Sequence, residues 1–232
     1  MTNLKKIGLF SFLLICQSLF ANPQPSEVLH VNRLEPDKMK SDPMVYFMDW
    51  FHEASNTLGE RDAAAFILAT VNNKCQPSTR TMMAKEINKD GFSFIGNLKT
   101  QKFEYLRKNN NAAITFNWLQ DQRQINLTGT VEPLTAKELE KIFKDRAPPH
   151  QISSVLFGEI DKNTTFTKLL KRHQALSQTY QNKPIPVPKT WGGFHFSPQK
   201  IEFWQRGPYN LHSRVVYTKD SKNLWKKIEI IS

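Results

Sequence analysis

Apolar residues recur along this chain with two different periods, and the switches between them mark its elements. Met44, Phe47, Met48, Trp50 and Phe51 fall at helical spacing. Asp42 followed by Pro43 gives that helix a capping residue and a proline at its first position, and the pattern runs to about residue 57. The period then shortens. Residues 66–71 form a buried-type apolar run, 78–87 are mixed, and Gly91-Phe92-Ser93-Phe94-Ile95 is short and aromatic. Ile114, Phe116 and Trp118 alternate with Thr115 and Asn117, and Ile125, Leu127 and Val131 alternate with polar residues. Alternation of this kind predicts strands with one buried face. Helices are predicted over 100–108, over 135–146, where Thr135-Ala136-Lys137-Glu138 is a capping box, and over 166–180. Pro184, Pro186 and Pro188 mark an extended linker, and three strands near 200–205, 214–219 and 224–231 finish the chain.

Strands interrupted by short helices, without regular βαβ alternation, predict a mainly β fold with α: a small antiparallel barrel with helices packed outside it. The chain has 232 residues, 39% of them hydrophobic, with 16 Phe and 5 Trp, which fills one domain over 42–232. Residues 22–41 are polar and contain prolines, an irregular arm. Before them, Lys5 and Lys6 precede an apolar run over 7–20 that Ala21 ends, the form of an export signal over 1–21. The run falls short of the roughly 20 apolar residues that a stable membrane span needs. The expectation is therefore an exported protein, periplasmic or secreted, and a cytoplasmic one if the segment does not act as a signal. Its removal takes two positive charges from a formal total of +11.

That surplus favours anionic partners. The positive residues are spread between apolar positions, and the one dense run, 168–173, lies on a predicted helix, so it reads as a solvated face and not as a nucleic-acid patch. Only Cys75 would survive cleavage, in a predicted turn with no His nearby to activate it. His52-Glu53 lacks a second His at metalloprotease spacing, so no metal site is expected, and there is no nucleophile elbow, Walker loop or dinucleotide glycine fingerprint.

The most informative stretch is Trp191-Gly192-Gly193-Phe194-His195-Phe196-Ser197-Pro198, followed by Ile201-Glu202-Phe203-Trp204-Gln205 and Leu211-His212-Ser213-Arg214. It resembles the C-terminal signature of the pyridoxamine/pyridoxine 5'-phosphate oxidases, dimeric flavin-mononucleotide (FMN) enzymes, and the similarity runs from about residue 42 to the end. The resemblance implies an FMN-binding split β-barrel, antiparallel and Greek-key-like with peripheral helices. It implies a homodimer, and oxidation of a phosphorylated B6 vitamer to pyridoxal 5'-phosphate with oxygen as acceptor.

By the same resemblance, Pro77-Ser78-Thr79-Arg80-Thr81-Met82-Met83-Ala84-Lys85 matches a strand whose Arg and Lys face the cofactor. Five residues is an odd spacing, so Arg80 and Lys85 would leave opposite faces of a regular strand unless a bulge intervenes. The implied FMN contacts are Arg80, Thr81, Met83, Lys85, Ile95, Gly96, Lys102, Gln124, Trp204 and Arg214. The implied substrate contacts are Lys85, Arg146, His150 and His212, with His212 and Asn210 at the catalytic positions. The chain departs from the family pattern at several of these. Ile95 and Gly96 replace Tyr and Thr, Gln101 replaces a phosphate-binding Arg, Ile142 replaces Tyr, His150 replaces Ser, and Asn210 replaces the Arg that stacks on the substrate ring. An amide in place of an arginine fork removes a contact worth about 1.5–3 kcal/mol. Two alternatives stay open: a flavin oxidoreductase of the same fold acting on another small aromatic compound, and a non-catalytic flavin or B6-phosphate binding protein.

Overall fold

The computed structural model describes residues 33–160 and 164–230; the expected export signal and most of the arm lie outside them. Helix α1, Pro43–Leu58, starts where Asp42 accepts a hydrogen bond from the Met44 amide, and its stripe of Met44, Phe47, Trp50 and Ala54 is buried. The short α2, Glu60–Ala63, leads into β1, Ala65–Val71, and a turn at Asn72–Gln76 returns the chain along β2, Pro77–Met83. Then follow β3, Lys85–Asn88; β4, Gly91–Asn97; α3, Gln101–Lys108; β5, Asn111–Trp118; and β6, Arg123–Pro133. Helices α4, Ala136–Lys144, α5, Pro148–Glu159, and α6, Phe166–Thr179, precede β7, Trp191–Gln205, β8, Ser213–Lys219, and β9, Trp225–Ile230.

All strand pairs are antiparallel, and the sheet runs β2-β1-β5-β6-β7-β4-β3, with β8 and β9 added on one side of β7. The two ends of that path, β2 and β3, are joined through Ala84 alone. One bent strand thus pairs with β1 before the bend and β4 after it, which curls the sheet into a barrel. β7 is the spine. It pairs with β6 along its length, with β4 over Trp191–Phe196 and with β8 over Lys200–Gln205. A register shift between Thr128 and Gly129 skips Gln199, so Pro198 sits at a bulge, where its missing N–H costs no ladder bond.

The register fixes what faces inward. Phe66, Leu68, Ile114, Phe116, Ile125, Leu127, Ile201 and Phe203 line the core, and the Phe47 ring packs edge-on against Phe116 at 5.1 Å. The Trp118 Nε1–H donates to the Ala63 carbonyl at 3.0 Å and ties the end of β5 to α2. A smaller cluster of Leu134, Ile142, Phe143 and Trp191 holds α4 against the start of β7.

Three segments differ from the sequence expectation. The last long strand begins at Trp191, not near residue 200, because Gly192 and Gly193 serve close strand approach. A Cβ on Gly193 would lie 2.4 Å from the Phe94 carbonyl oxygen. Helix α5 was not expected at all. The described part of the arm is pinned, with Leu34 and Met39 buried, Lys40 accepting from the Tyr217 hydroxyl at 2.8 Å, and Lys227 donating to Pro36.

Candidate active site

Arg80 stands opposite Leu68 in the β1–β2 register, so its side chain leaves the core-facing side of β2. One guanidinium nitrogen donates to Thr70 Oγ1 at 2.7 Å and to the Leu68 carbonyl, and the other donates to Ser78 Oγ at 2.7 Å. Burial holds this arginine below its usual value, while the nearby Tyr105 pulls the other way. Lys102, in the first turn of α3, donates to Thr100 Oγ1 at 3.2 Å. Its ammonium is held below the ordinary lysine range, first by burial and then by Arg80. Neither cation forms an ion pair among the described residues. Two partly buried positive groups, one felt by the other and neither paired with a carboxylate among the described residues, have the chemistry to accept an anion. Gly96 permits the arrangement: a Cβ there would fall 2.7 Å from Phe103 Cε2 and push on the helix that carries Lys102. Gln101, where the family has Arg, is exposed and adds no charge.

A second group lies in one cross-strand row, Gln124 opposite Trp204 and Trp204 opposite Arg214. These side chains alternate with the buried Ile125, Phe203 and Val215, so they face outward from the barrel. Arg214 is paired with Glu202 at 2.5 Å, and Glu202 also accepts from Asn126. Trp204 packs against the His212 ring at 4.7 Å, and both line a cleft of about 290 Å³ with Asn210. The Gly207 N–H donates to His212 Nδ1 at 3.3 Å, which places the proton of the neutral ring on Nε2. Tyr209 and Asn210 both have left-handed backbone, φ 54° and 62°, in the turn that carries them past Trp204.

The remaining candidates fall in two further clefts. Lys85 and Met83 line one of about 530 Å³, with Met48, Phe51 and Arg61. The bend at Ala84 interrupts the strand between Arg80 and Lys85, so the odd spacing does not act through one regular strand. Lys141 of α4 reaches Glu86 beside this cleft at 2.6 Å. Thr81, opposite Ile67, faces outward and is exposed. Ile95, Gly96 and Arg146 line a cleft of about 180 Å³ with Trp191, Ser154 and Phe157. The Arg146 guanidinium lies 5.8 Å from the Trp191 ring centre, donates to the His150 carbonyl, and leaves its buried Nε without a partner. Burial lowers its pKa, and it meets no carboxylate among the described residues. His150 is exposed at the start of α5, and Ile142 is buried in the α4 core, where it offers no polar group.

The structure therefore joins Arg80 with Lys102, joins Gln124, Trp204 and Arg214, sets His212 with Asn210 against Trp204, and sets Arg146 beside Ile95 and Gly96. Within one chain it shows no contact between the Arg80 group and the Trp204 group. Sequence reasoning missed Thr70 and Ser78, which seat Arg80. A threonine on the core face of an otherwise apolar strand was the available signal.

The curled antiparallel barrel is an FMN-binding split barrel in fold, and the relatives it matches make the chain an FMN-dependent oxidoreductase. Residues 53–169 match the family model described as pyridoxamine 5'-phosphate oxidase, and residues 191–230 match that of the pyridoxine 5'-phosphate oxidase C-terminal dimerisation region. The chain belongs to the pyridoxamine 5'-phosphate oxidase family, and FMN is its cofactor. It is 35% identical over 195 residues, 84% of this chain and 90% of the other, to a protein of Hydrogenovibrio crunogenus named pyridoxine/pyridoxamine 5'-phosphate oxidase 2. In fold it is similar to PhzG from Burkholderia lata 383, solved with tetrahydrophenazine-1-carboxylic acid, with TM-score 0.79, 24% identity, and 88% and 98% of the two chains covered. It is also similar to an FMN-binding protein of Nostoc punctiforme, with TM-score 0.65, 16% identity, and 84% and 100% covered.

Proposed function

We propose that this chain is a pyridoxine/pyridoxamine 5'-phosphate oxidase that forms pyridoxal 5'-phosphate with oxygen as acceptor and works as a homodimer. The observation that carries this reading is the presence of two separate carboxylate-free cationic seats. Arg80 with Lys102 suits the flavin phosphate, and Arg146, with its orphaned Nε, suits the phosphate of a substrate. When bound, FMN supplies the hydride-accepting ring; the chain supplies position and charge. Gln124 offers an amide that donates to and accepts from the polar edge of a flavin, and Trp204 covers an aromatic face. Arg146 anchors the substrate phosphate, and His212 presents Nε2–H to a ring oxygen; Lys85 lines a different cleft of the same chain and lies outside that anchor. The test is oxygen-dependent formation of pyridoxal 5'-phosphate by purified, FMN-loaded protein. Absence of product, together with a flavin spectrum indifferent to pyridoxine 5'-phosphate, removes the reading.

A second reading, a flavin oxidoreductase for another small aromatic compound, is favoured by the buried Ile142 and by Asn210, which withdraw a hydroxyl and a cation from the substrate side. Flavin reduction by another donor without activity on B6 phosphates would select it. A yellow protein that no donor reduces would point to a binding role. We also propose export directed by residues 1–21; fusing residues 1–30 to a compartment-sensitive reporter tests it, and a cytoplasmic signal rejects it.

A further inference from the structure

Arg206 follows β7 directly and has no assigned role. It lines the same cleft as Trp204, Asn210 and His212, and that cleft also holds Asn117 and Arg123 but no carboxylate. Its backbone N–H donates to the Gln122 carbonyl at 2.9 Å, which fixes the residue at the edge of the β5–β6 turn. Its side chain is exposed and makes no hydrogen bond or ion pair among the described residues. Arg123 differs in this respect, since Glu53 neutralises it and the Trp50 ring covers it at 4.5 Å. The cleft therefore has an aromatic wall in Trp204, an Nε2–H donor in His212, amides in Asn117 and Asn210, and one uncommitted planar cation. We infer that Arg206 is a specificity-determining residue that recognises a flat aromatic ring carrying an anionic oxygen, a phenolate or a carboxylate, and supplies from position 206 the positive charge that Asn210 lacks. A guanidinium suits this task because its fork meets an oxygen edge and its face meets a ring. The inference rests on the proposed function in taking this cleft as the ring end of the substrate site.

The test uses FMN-loaded protein and equilibrium dialysis with pyridoxal 5'-phosphate, its 3-deoxy analogue, and phenazine-1-carboxylate. The wild type should bind the hydroxyl-bearing B6 ring about tenfold more tightly than the deoxy compound, the size of one charge-assisted contact. Arg206→Ala should bring the two within about twofold at unchanged FMN affinity, and Arg206→Lys should fall between. Since the exposed side chain makes no hydrogen bond or ion pair among the described residues, an unaltered melting temperature should accompany the change. Undiminished discrimination in Arg206→Ala overturns the inference. If neither B6 compound binds wild type but phenazine-1-carboxylate does so in an Arg206-dependent way, the proposed substrate fails and the inference stands. Binding of none of the three overturns both.

Discussion

Replacing Arg80 by Ala tests the phosphate seat most directly. The guanidinium is held by Thr70, Ser78 and the Leu68 carbonyl, so it is already oriented before any ligand arrives and little freedom is lost on binding. One charge-assisted interaction with a phosphate is worth about 1.5–3 kcal/mol, so FMN should bind about 10- to 150-fold more weakly. A second effect runs the other way at high pH. Arg80 helps hold Lys102 below the ordinary lysine range, so wild-type affinity should decline on the alkaline side before a free lysine would lose its proton. Without Arg80, that decline should move to higher pH. Quenching of FMN fluorescence, titrated from about pH 7 up to about pH 10.5, where a free lysine loses its proton, reads both effects. Lys102→Met guards against a folding artefact: it removes one of two repelling cations, so the apo-protein should be at least as stable as wild type while FMN no longer raises its melting temperature. Wild-type FMN affinity in folded Arg80→Ala protein would refute the cation-pair seat.

Other consequences follow from single contacts. Burial pushes the Tyr217 phenol up to about 12, whereas an unfolded tyrosine ionises near 10, so stability should fall between about pH 10 and pH 12 as only the unfolded chain gains from ionising. Tyr217→Phe should flatten that alkaline limb in urea melts, and an unchanged limb would assign it to other groups. Gly96→Ala should press a methyl group into Phe103, cost about 1–3 kcal/mol and weaken FMN by displacing Lys102; unaltered urea midpoint and flavin affinity would exclude that coupling. Glu202→Gln leaves the half-buried Arg214 without its carboxylate and should lower apo stability by about 1–3 kcal/mol, checked by the same melts.

Much of the fold could be read from periodicity because its elements bury one face. Strands β5 and β6 alternate cleanly, α1 carries an apolar stripe, and the Thr135 capping box forms as the sequence predicts. The failures have physical causes. The first half of β7 contains Gly192, Gly193 and Pro198, which interrupt a plain strand alternation because they serve close approach and a bulge. Helix α5 opens on two prolines, and Ser153 and Ser154 satisfy their hydroxyls on its own carbonyls. Its buried set of Ile152, Ser154, Val155 and Leu156 gives no clear apolar stripe. The family resemblance singled out Arg80 and Lys102, but what orients the arginine became visible only through register, because no linear motif encodes the Thr70 and Ser78 hydroxyls that hold it. Arg206 escaped notice because only the turn at Gly207–Leu211 folds Asn210 and His212 back beside it.

The proposed homodimer explains why one chain holds the candidate flavin residues apart. Arg80 leaves the core-facing side of β2, whereas Gln124, Trp204 and Arg214 share a row on the outward face of β6, β7 and β8. If one flavin is to touch both groups, the outward row of one protomer has to meet the Arg80 seat of its partner. Two binding-deficient chains should then complement each other. Arg80→Ala and Arg214→Ala homodimers each spoil both of their sites. In a heterodimer one site collects both defects and the other collects neither. Random mixing of the two unfolded chains, followed by refolding, should restore tight FMN binding at about a quarter of the sites, since half the dimers are mixed and each holds one intact site. A site built within a single chain would recover none, so a mixture as colourless as its parents would show that the two groups do not share a flavin across protomers.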